Sequence, residues 1–504
     1  MRAARADAVE FAAKGRMLTS RATLLTPRTR PVPCALVRLA VLVCVLAVLG
    51  GAACDQGRRL RARKENLLTL PLPWRRPSIN VADDGAHVTF SVRARGGYYV
   101  VTPHGRARTF EDVTSPLFAP KSDRVLYWGS HTEEGRKRYD VGVDTTVVPT
   151  AIVEPIELIA APGGARWAAI GFVDVDAEAA PDAPRPMVLM VDGREMGRYA
   201  EASRPSFSPD GAHVAWAIRD PSGTVTIIVD GTVIKTIEAV PPVADGPRLQ
   251  KVAVIRYLAD GRLLALVPDG DGWSMFRGDE RLATYGYALI PGTFLLGSPE
   301  TKGTVVPASL VTASEAPVAV WWERMPGATE QWRVVRDGGP IDGMTCDRHW
   351  ETQPPVVSND GAHVAYVCPT PAELGAPLGH RWVTLDGRRF GMYVETWKLG
   401  LSDDGTQVAY AAADTLPIMA WRIFVNGMPR TPPEVLVWRP RFSADGAHLF
   451  WAGGPERGRR NIAIDGRTIT RFDDVLYGPE FPRPRTALWV IRRGRKISRV
   501  EATY

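Results

Sequence analysis

The stretch SFSPDGAHVAWA at residues 206–217 joins a turn signal to a short apolar run. Asp210-Gly211 suits a sharp reversal, because glycine takes up positive φ without steric cost. The run that follows, Val214 to Ala217, mixes β-branched, small and aromatic residues as a strand does. A second apolar run, IIVDGTVI at 227–234, carries Asp230-Gly231, a dipeptide matched to the two-residue hairpin turn in which both residues need positive φ. Two successive hairpins make a four-stranded antiparallel unit.

Nearly the same phrase returns as VVSNDGAHVAYV at 356–367 and RFSADGAHLFWA at 441–452. Aligned on its turn, the chain has copies at Asp84-Gly85, Asp210-Gly211, Asp260-Gly261, Asp360-Gly361, Asp404-Gly405 and Asp445-Gly446. Degraded copies fill the gaps: FAPKSDRVLYWG at 118–129, AAPGGARWAAIGF at 160–172, VTASEAPVAVWWE at 311–323 and EFPRPRTALWVI at 480–491. Second-turn signals accompany them in LMVDGREM at 189–196, VTLDGRRF at 383–390, IFVNGMPR at 423–430 and IAIDGRTI at 462–469. Ten units spaced about 45 residues apart match the period of four-stranded propeller blades. The expected fold is therefore an all-β β-propeller built from about ten four-stranded repeats.

A lone blade exposes two apolar faces, and stacking blades about an axis buries them. Trp128, Trp167, Trp216 and Trp451 recur after the first turn, and Trp332, Trp382 and Trp421 ahead of the second. At repeat-locked positions they read as interblade core. Ten units exceed the usual four to eight blades. Two rings, with repeats 1–5 over 76–285 and repeats 6–10 over 286–504, are slightly favoured over one large ring. The seam falls in GYALIPGTFLLGSPETKG at 286–303.

The S-x-D-G-x-x-V-A-Y and V-D-G phrases resemble the WD40-like repeat of periplasmic Tol-type propellers over about residues 76–504. The resemblance implies the propeller fold and no single activity.

The chain of 504 residues carries a net charge of +7. Residues 1–53 hold eight basic side chains against Asp7 and Glu10, leaving 54 basic and 53 acidic groups in the remainder. A nearly neutral body removes the electrostatic case for nucleic-acid binding. The leader itself reads as a secretory signal peptide over 1–53: basic residues, the apolar run Leu39–Leu49, then small residues. Gly51-Ala52-Ala53-Cys54 resembles a bacterial lipobox, with Gly51 where leucine is usual, and implies lipidation of Cys54. Residues 54–75, with Arg58, Arg59, Arg61, Arg63 and Lys64, read as a basic tether near anionic headgroups or a solvated linker. The expectation is an exported protein, lipid-anchored to a bacterial membrane and facing periplasm or exterior. Once the leader cysteines and Cys54 are set aside, Cys346 and Cys368 remain, either paired in an oxidising compartment or separately buried as thiols.

His87, His213, His363 and His448 share one slot after Gly-Ala, which Gln407 fills in another copy. Copies spread around an axis are too far apart to share a metal, so each histidine is expected to brace its turn. Asp269 to Gly272 and Asp174 to Asp176 lack the ligand series of a calcium loop. The sequence holds no G-x-S-x-G, H-E-x-x-H, P-loop or C-x-x-C motif. No cofactor, metal or catalytic residue is assigned. Function is expected on the irregular loops between the second and third strands, such as GSHTEEGRKR at 129–138 and GGPERGRR at 453–460. Arg136, Lys137, Arg138, Arg457, Arg459 and Arg460 are the candidate residues for docking an envelope protein or other cell-surface component. The alternative is a hydrolase or lyase with its site at the central channel, which needs no linear motif.

Overall fold

Regular elements among the described residues are all strands, as the alternating runs require. The computed structural model describes residues 61–70, 78–174, 185–237, 252–269, 272–286, 307–325, 331–343, 345–347, 354–369, 380–413, 420–433, 436–443, 445–456 and 459–504. All belong to one compact unit, residues 60–504. The leader, Cys54 and most of the 286–303 spacer lie outside them.

The strands form ten antiparallel units, here blades 1 to 10, over 79–106, 112–148, 152–199, 201–237, 254–286, 307–347, 356–393, 395–429, 436–472 and 474–503. Blades 2 and 3 share a sheet because Thr146–Ala160 is one long strand. Its first half pairs with Tyr139 to Val143 and its second with Trp167 to Val173. Blade 10 is completed by Arg61–Thr69, which pairs in antiparallel register with Lys496–Thr503. A segment expected within a tether is thus the fourth strand of the last blade. The Arg63, Lys64 and Glu65 side chains on it are exposed, which suits an edge strand because charge blunts further pairing. The charge-rich run Arg61 to Glu65 hid the strand from a reading based on alternation.

In blades 2 to 10 the second strand is buried on both sides along much of its length, and its residues divide by parity between two interfaces. In blade 4, Val214 and Trp216 pack back onto Ala168, Ile170 and Leu189 of blade 3, whereas Ala215 and Ala217 pack forward onto Ile255, Ala265 and Val267 of blade 5. In blade 6, Trp321 faces blade 5 and Trp322 faces blade 7. Six of the seven repeat-locked tryptophans are core residues of this kind. Trp382 is the exception: it is only half buried, and the Arg389 guanidinium lies 4.2 Å from its ring.

The interfaces follow chain order without a break. Leu258, Leu264 and Leu266 of blade 5 pack against Ala319 and Trp321 of blade 6. Val490 and Ile497 of blade 10 pack against Val81 and Phe90 of blade 1, and Tyr477 donates a hydrogen bond to the Asp83 carbonyl. Two rings would require blade 5 to close on blade 1. Instead the blades form one closed circuit of ten, and the two-ring arrangement is replaced. The seam residues 287–303 could not decide this, because the answer lies in which apolar faces meet.

Candidate functional site

The first turn of blades 4, 7, 8 and 9 is a self-contained knot. In blade 4 the Ser208 hydroxyl donates to Asp210 Oδ1 at 2.5 Å and accepts the His213 N–H at 2.9 Å, while Asp210 Oδ1 also accepts the Ala212 N–H at 3.0 Å. The pattern recurs at Ser358-Asp360, Ser402-Asp404 and Ser443-Asp445. Hydrogen bonding by the serine holds the Asp210, Asp360, Asp404 and Asp445 carboxyls below the ordinary aspartate value. Blade 1 lacks the serine, and Asp84 instead accepts the Ala86 N–H at 2.8 Å. The turn glycine is needed twice over. Gly211 has φ of 73°, and a Cβ there would lie 2.8 Å from the Pro162 carbonyl of blade 3. At Gly405 a Cβ would strike the His363 ring of blade 7.

The second turn clamps the first. Asp230 sits at φ of 49°, its Oδ1 accepts the Val214 N–H at 3.0 Å, and its Oδ2 lies 2.6 Å from His213 Nδ1. His363 meets Asp386 and His448 meets Asp465 in the same way, each at 2.7 Å. Asn426 takes the place of aspartate in blade 8 and accepts the Val408 N–H at 2.9 Å. His87 pairs with Asp84 at 2.9 Å, because the second turn of blade 1 reads His104-Gly105. Each slot histidine therefore braces a turn within its own blade. The clamp itself was missed in the sequence, although the repeated aspartate before glycine was its signal.

Side chains also reach from one blade to the first turn of the next at several boundaries. Arg124 donates to the Gly164 carbonyl at 3.0 Å, Arg277 to Pro317 at 3.1 Å, Arg336 to Ala362 at 2.7 Å and Gln407 to Gly446 at 3.3 Å. Cys346 and Cys368 are joined, with Cα atoms 5.2 Å apart, across the blade 6 and blade 7 interface. A crosslink over 22 residues is worth about 3 kcal/mol by chain entropy.

The opposite ends of the blades carry the candidate docking residues. The segment 129–138 is not an irregular loop. Val125–Glu133 and Arg136–Val143 pair continuously to Glu133 opposite Arg136, around a two-residue turn at Glu134-Gly135 with φ of 51° and 76°. Leu449–Glu456 and Arg459–Ile464 likewise pair up to Glu456 opposite Arg459. Both were missed because their turns lack the Asp-Gly or Asn-Gly signal. The tip residues 132–137 are exposed, and their cations are matched by carboxylates. Arg136 lies 3.1 Å from Asp174, Lys137 lies 3.8 Å from Asp112, and Arg138 lies 2.9 Å from Glu133. Arg460 donates to the Asp473 carbonyl at 3.1 Å. Arg457 and the Arg459 side chain lie outside the described residues. The arrangement is a continuously paired hairpin of mixed charge.

Toward the channel-centred alternative, two carboxyls among the described residues are raised by burial: Glu157, opposed by Arg204 and Arg256, and Asp403. At Asp403, Glu315 and Asp404 add to the rise and Arg441 opposes it. Among the described residues no group of three or more His, Cys, Asp or Glu is placed to hold a metal.

These features define a ten-bladed β-propeller. No protein-family model and no curated protein matches the chain. Solved structures with a similar course include a eukaryotic initiation factor, at 12% identity over 77% of this chain and 96% of that one, with a TM-score of 0.43. The Dos1 propeller is similar at 10% identity over 88% and 94%, with a TM-score of 0.36. BamB from Moraxella catarrhalis is similar at 12% identity over 66% and 98%, with a TM-score of 0.28. Such distant likenesses carry no argument about function, and the propeller assignment rests on the sheets and interfaces.

Proposed function

We propose that this protein is a non-enzymatic scaffold, tethered to a bacterial membrane through lipidated Cys54, that docks an envelope protein on the blade ends bearing the 125–143 hairpin. The observation that carries this reading is the exposed tip at 132–137, presented on strands paired to their last residue. A preorganised tip loses little conformational freedom on binding. Its alternating charges favour a polar protein surface over a polyanion, which would call for an unopposed basic patch. The lipid anchor and the export it requires are supported by the Gly51-Ala52-Ala53-Cys54 segment and the apolar run before it.

The test replaces residues 132–137 with an Asn-Gly turn, which keeps the hairpin and removes the tip. Affinity capture from envelope extract is expected to recover a partner with the wild type and at least tenfold less with the shortened variant. Equal recovery would remove the tip from function. Cys54→Ala is expected to move the protein from the membrane to the soluble fraction, and an unchanged distribution would defeat the anchor.

A further inference from the structure

Blade 10, built from residues 61–69 and 474–503, holds ten basic side chains against four acidic ones, whereas the rest of residues 54–504 holds 44 against 49. The near-neutral body is thus a basic blade set against an acidic remainder. Its first turn shows the same reversal. Six blades carry an aspartate there, at Asp84, Asp210, Asp260, Asp360, Asp404 and Asp445, whereas blade 10 carries Arg485 after Pro484.

The basic side chains follow the outer edge of this blade from end to end. Arg61 stands opposite Thr503, which pairs with Thr486 beside the Pro484-Arg485 turn. Thr69 stands opposite Lys496, which pairs with Arg493 across the Gly494-Arg495 turn. Arg485 is exposed at the first of these ends, Arg63 and Lys64 along the edge strand, and Arg493 and Lys496 at the second end. Among the described residues no carboxylate pairs with Arg63, Lys64, Arg493 or Lys496. The acids of the blade are mostly engaged: Asp474 lies 3.8 Å from Arg492, Glu480 lies 2.7 Å from Arg441, and Glu501 lies between Arg483 and Arg499. Glu65 is the acid exposed on the edge strand. Arg467 and Arg471, exposed on the outer strand of blade 9, continue the basic surface. Unlike the 125–143 hairpin, this rim presents cations that carboxylates do not match, which calls for an anionic partner.

We infer that the rim of blade 10 is a docking surface for a bilayer rich in anionic lipid, so that the propeller meets the membrane by this edge. The choice of occupant rests on the anchor proposed at Cys54. Six residues separate Cys54 from Arg61, and so short a chain spans at most about 25 Å. A lipid on that cysteine therefore keeps blade 10, of all the blades, beside the headgroups. Each cation close to an anionic surface strengthens binding about fivefold, and the rim and the lipid together act as two signals where one chain alone is marginal.

The test uses the intact chain carrying Cys54→Ala, so that no lipid contributes, sedimented with vesicles of phosphatidylcholine alone or of equal parts phosphatidylcholine and phosphatidylglycerol. The mixed vesicles are expected to bind at least tenfold more tightly, and the difference to vanish in about 1 M salt, where screening acts over about 3 Å. In the same background Lys64→Glu with Lys496→Glu is expected to weaken binding to mixed vesicles at least tenfold. Arg194→Glu with Arg388→Glu, an equal charge change at exposed positions on blades 3 and 7, is expected to leave it within twofold. Circular dichroism matching the parent accompanies each variant, and the leader is common to all of them, so differences between variants report on blade 10. The inference is overturned if phosphatidylglycerol brings no gain, if the two charge-reversed pairs bind alike, or if a DNA duplex binds blade 10 more tightly than the mixed vesicles do. Such a failure leaves the anchor standing, because the anchor is tested by the membrane fractionation of Cys54→Ala and not by these vesicles.

Discussion

Asp230 shows how much a single side chain does in this repeat. It terminates the third strand in a left-handed conformation, accepts the Val214 N–H, and meets both His213 and, at 3.5 Å, Arg166 of the preceding blade. Alanine in that conformation costs about 1–2 kcal/mol, and leaving the Val214 N–H without its acceptor costs about 1–3 kcal/mol more. Asp230→Ala is therefore expected to lower unfolding free energy by about 2–4 kcal/mol, measured by urea denaturation. Asp230→Asn should stay within about 1 kcal/mol of wild type, because Asn426 performs the same backbone service in blade 8. His213→Ala should cost less than about 1 kcal/mol, since the pair it breaks is substantially exposed. Equal losses for Asp230→Ala and His213→Ala would show that the ion pair, rather than the backbone clamp, holds the turn.

At the scale of the element, the first turn links local geometry to pH. Four serine hydroxyls stabilise the ionised form of Asp210, Asp360, Asp404 and Asp445, whose folded pKa values lie below the ordinary value of 3.8. The unfolded chain thus takes up these protons at higher pH than the folded one. The stability they lend is full above about pH 3.8 and is lost as pH falls through the lowered values. Replacing Ser208, Ser358, Ser402 and Ser443 with alanine is expected to reduce the denaturant midpoint at neutral pH and to flatten its decline below pH 4. Parallel pH profiles for the two proteins would mean that the serines do not tune these carboxylates. The turns were legible in the sequence because their chemistry is local: serine, aspartate and glycine act within a few residues. The 129–138 hairpin was illegible for the complementary reason. Its register depends on partners across the strand pair, and Glu134-Gly135 is a weaker signal than Asp-Gly.

For the whole molecule, the count of blades was readable from spacing, but the closure was not. Spacing says how many faces must be covered, whereas closure depends on which faces meet. Arg61–Thr69 illustrates the gap, since it completes a blade whose other strands lie more than 400 residues away. A single circuit makes a demand that two rings do not. Divided at the 286–303 spacer, the chain yields a first half with blade 1 stripped of Val490 and Ile497, and blade 5 stripped of Ala319 and Trp321. The second half loses the strand that pairs with Lys496–Thr503 and bares the apolar side of blade 6. Each fragment therefore exposes two interblade faces, and stacked repeats hold their stability in such faces. Residues 60–286 and 287–504, expressed separately, are expected to aggregate or to lack a cooperative thermal transition, and to recover one when produced together. Two monomeric halves, each melting cooperatively on its own by size-exclusion chromatography and calorimetry, would restore the two-ring arrangement and refute the circuit.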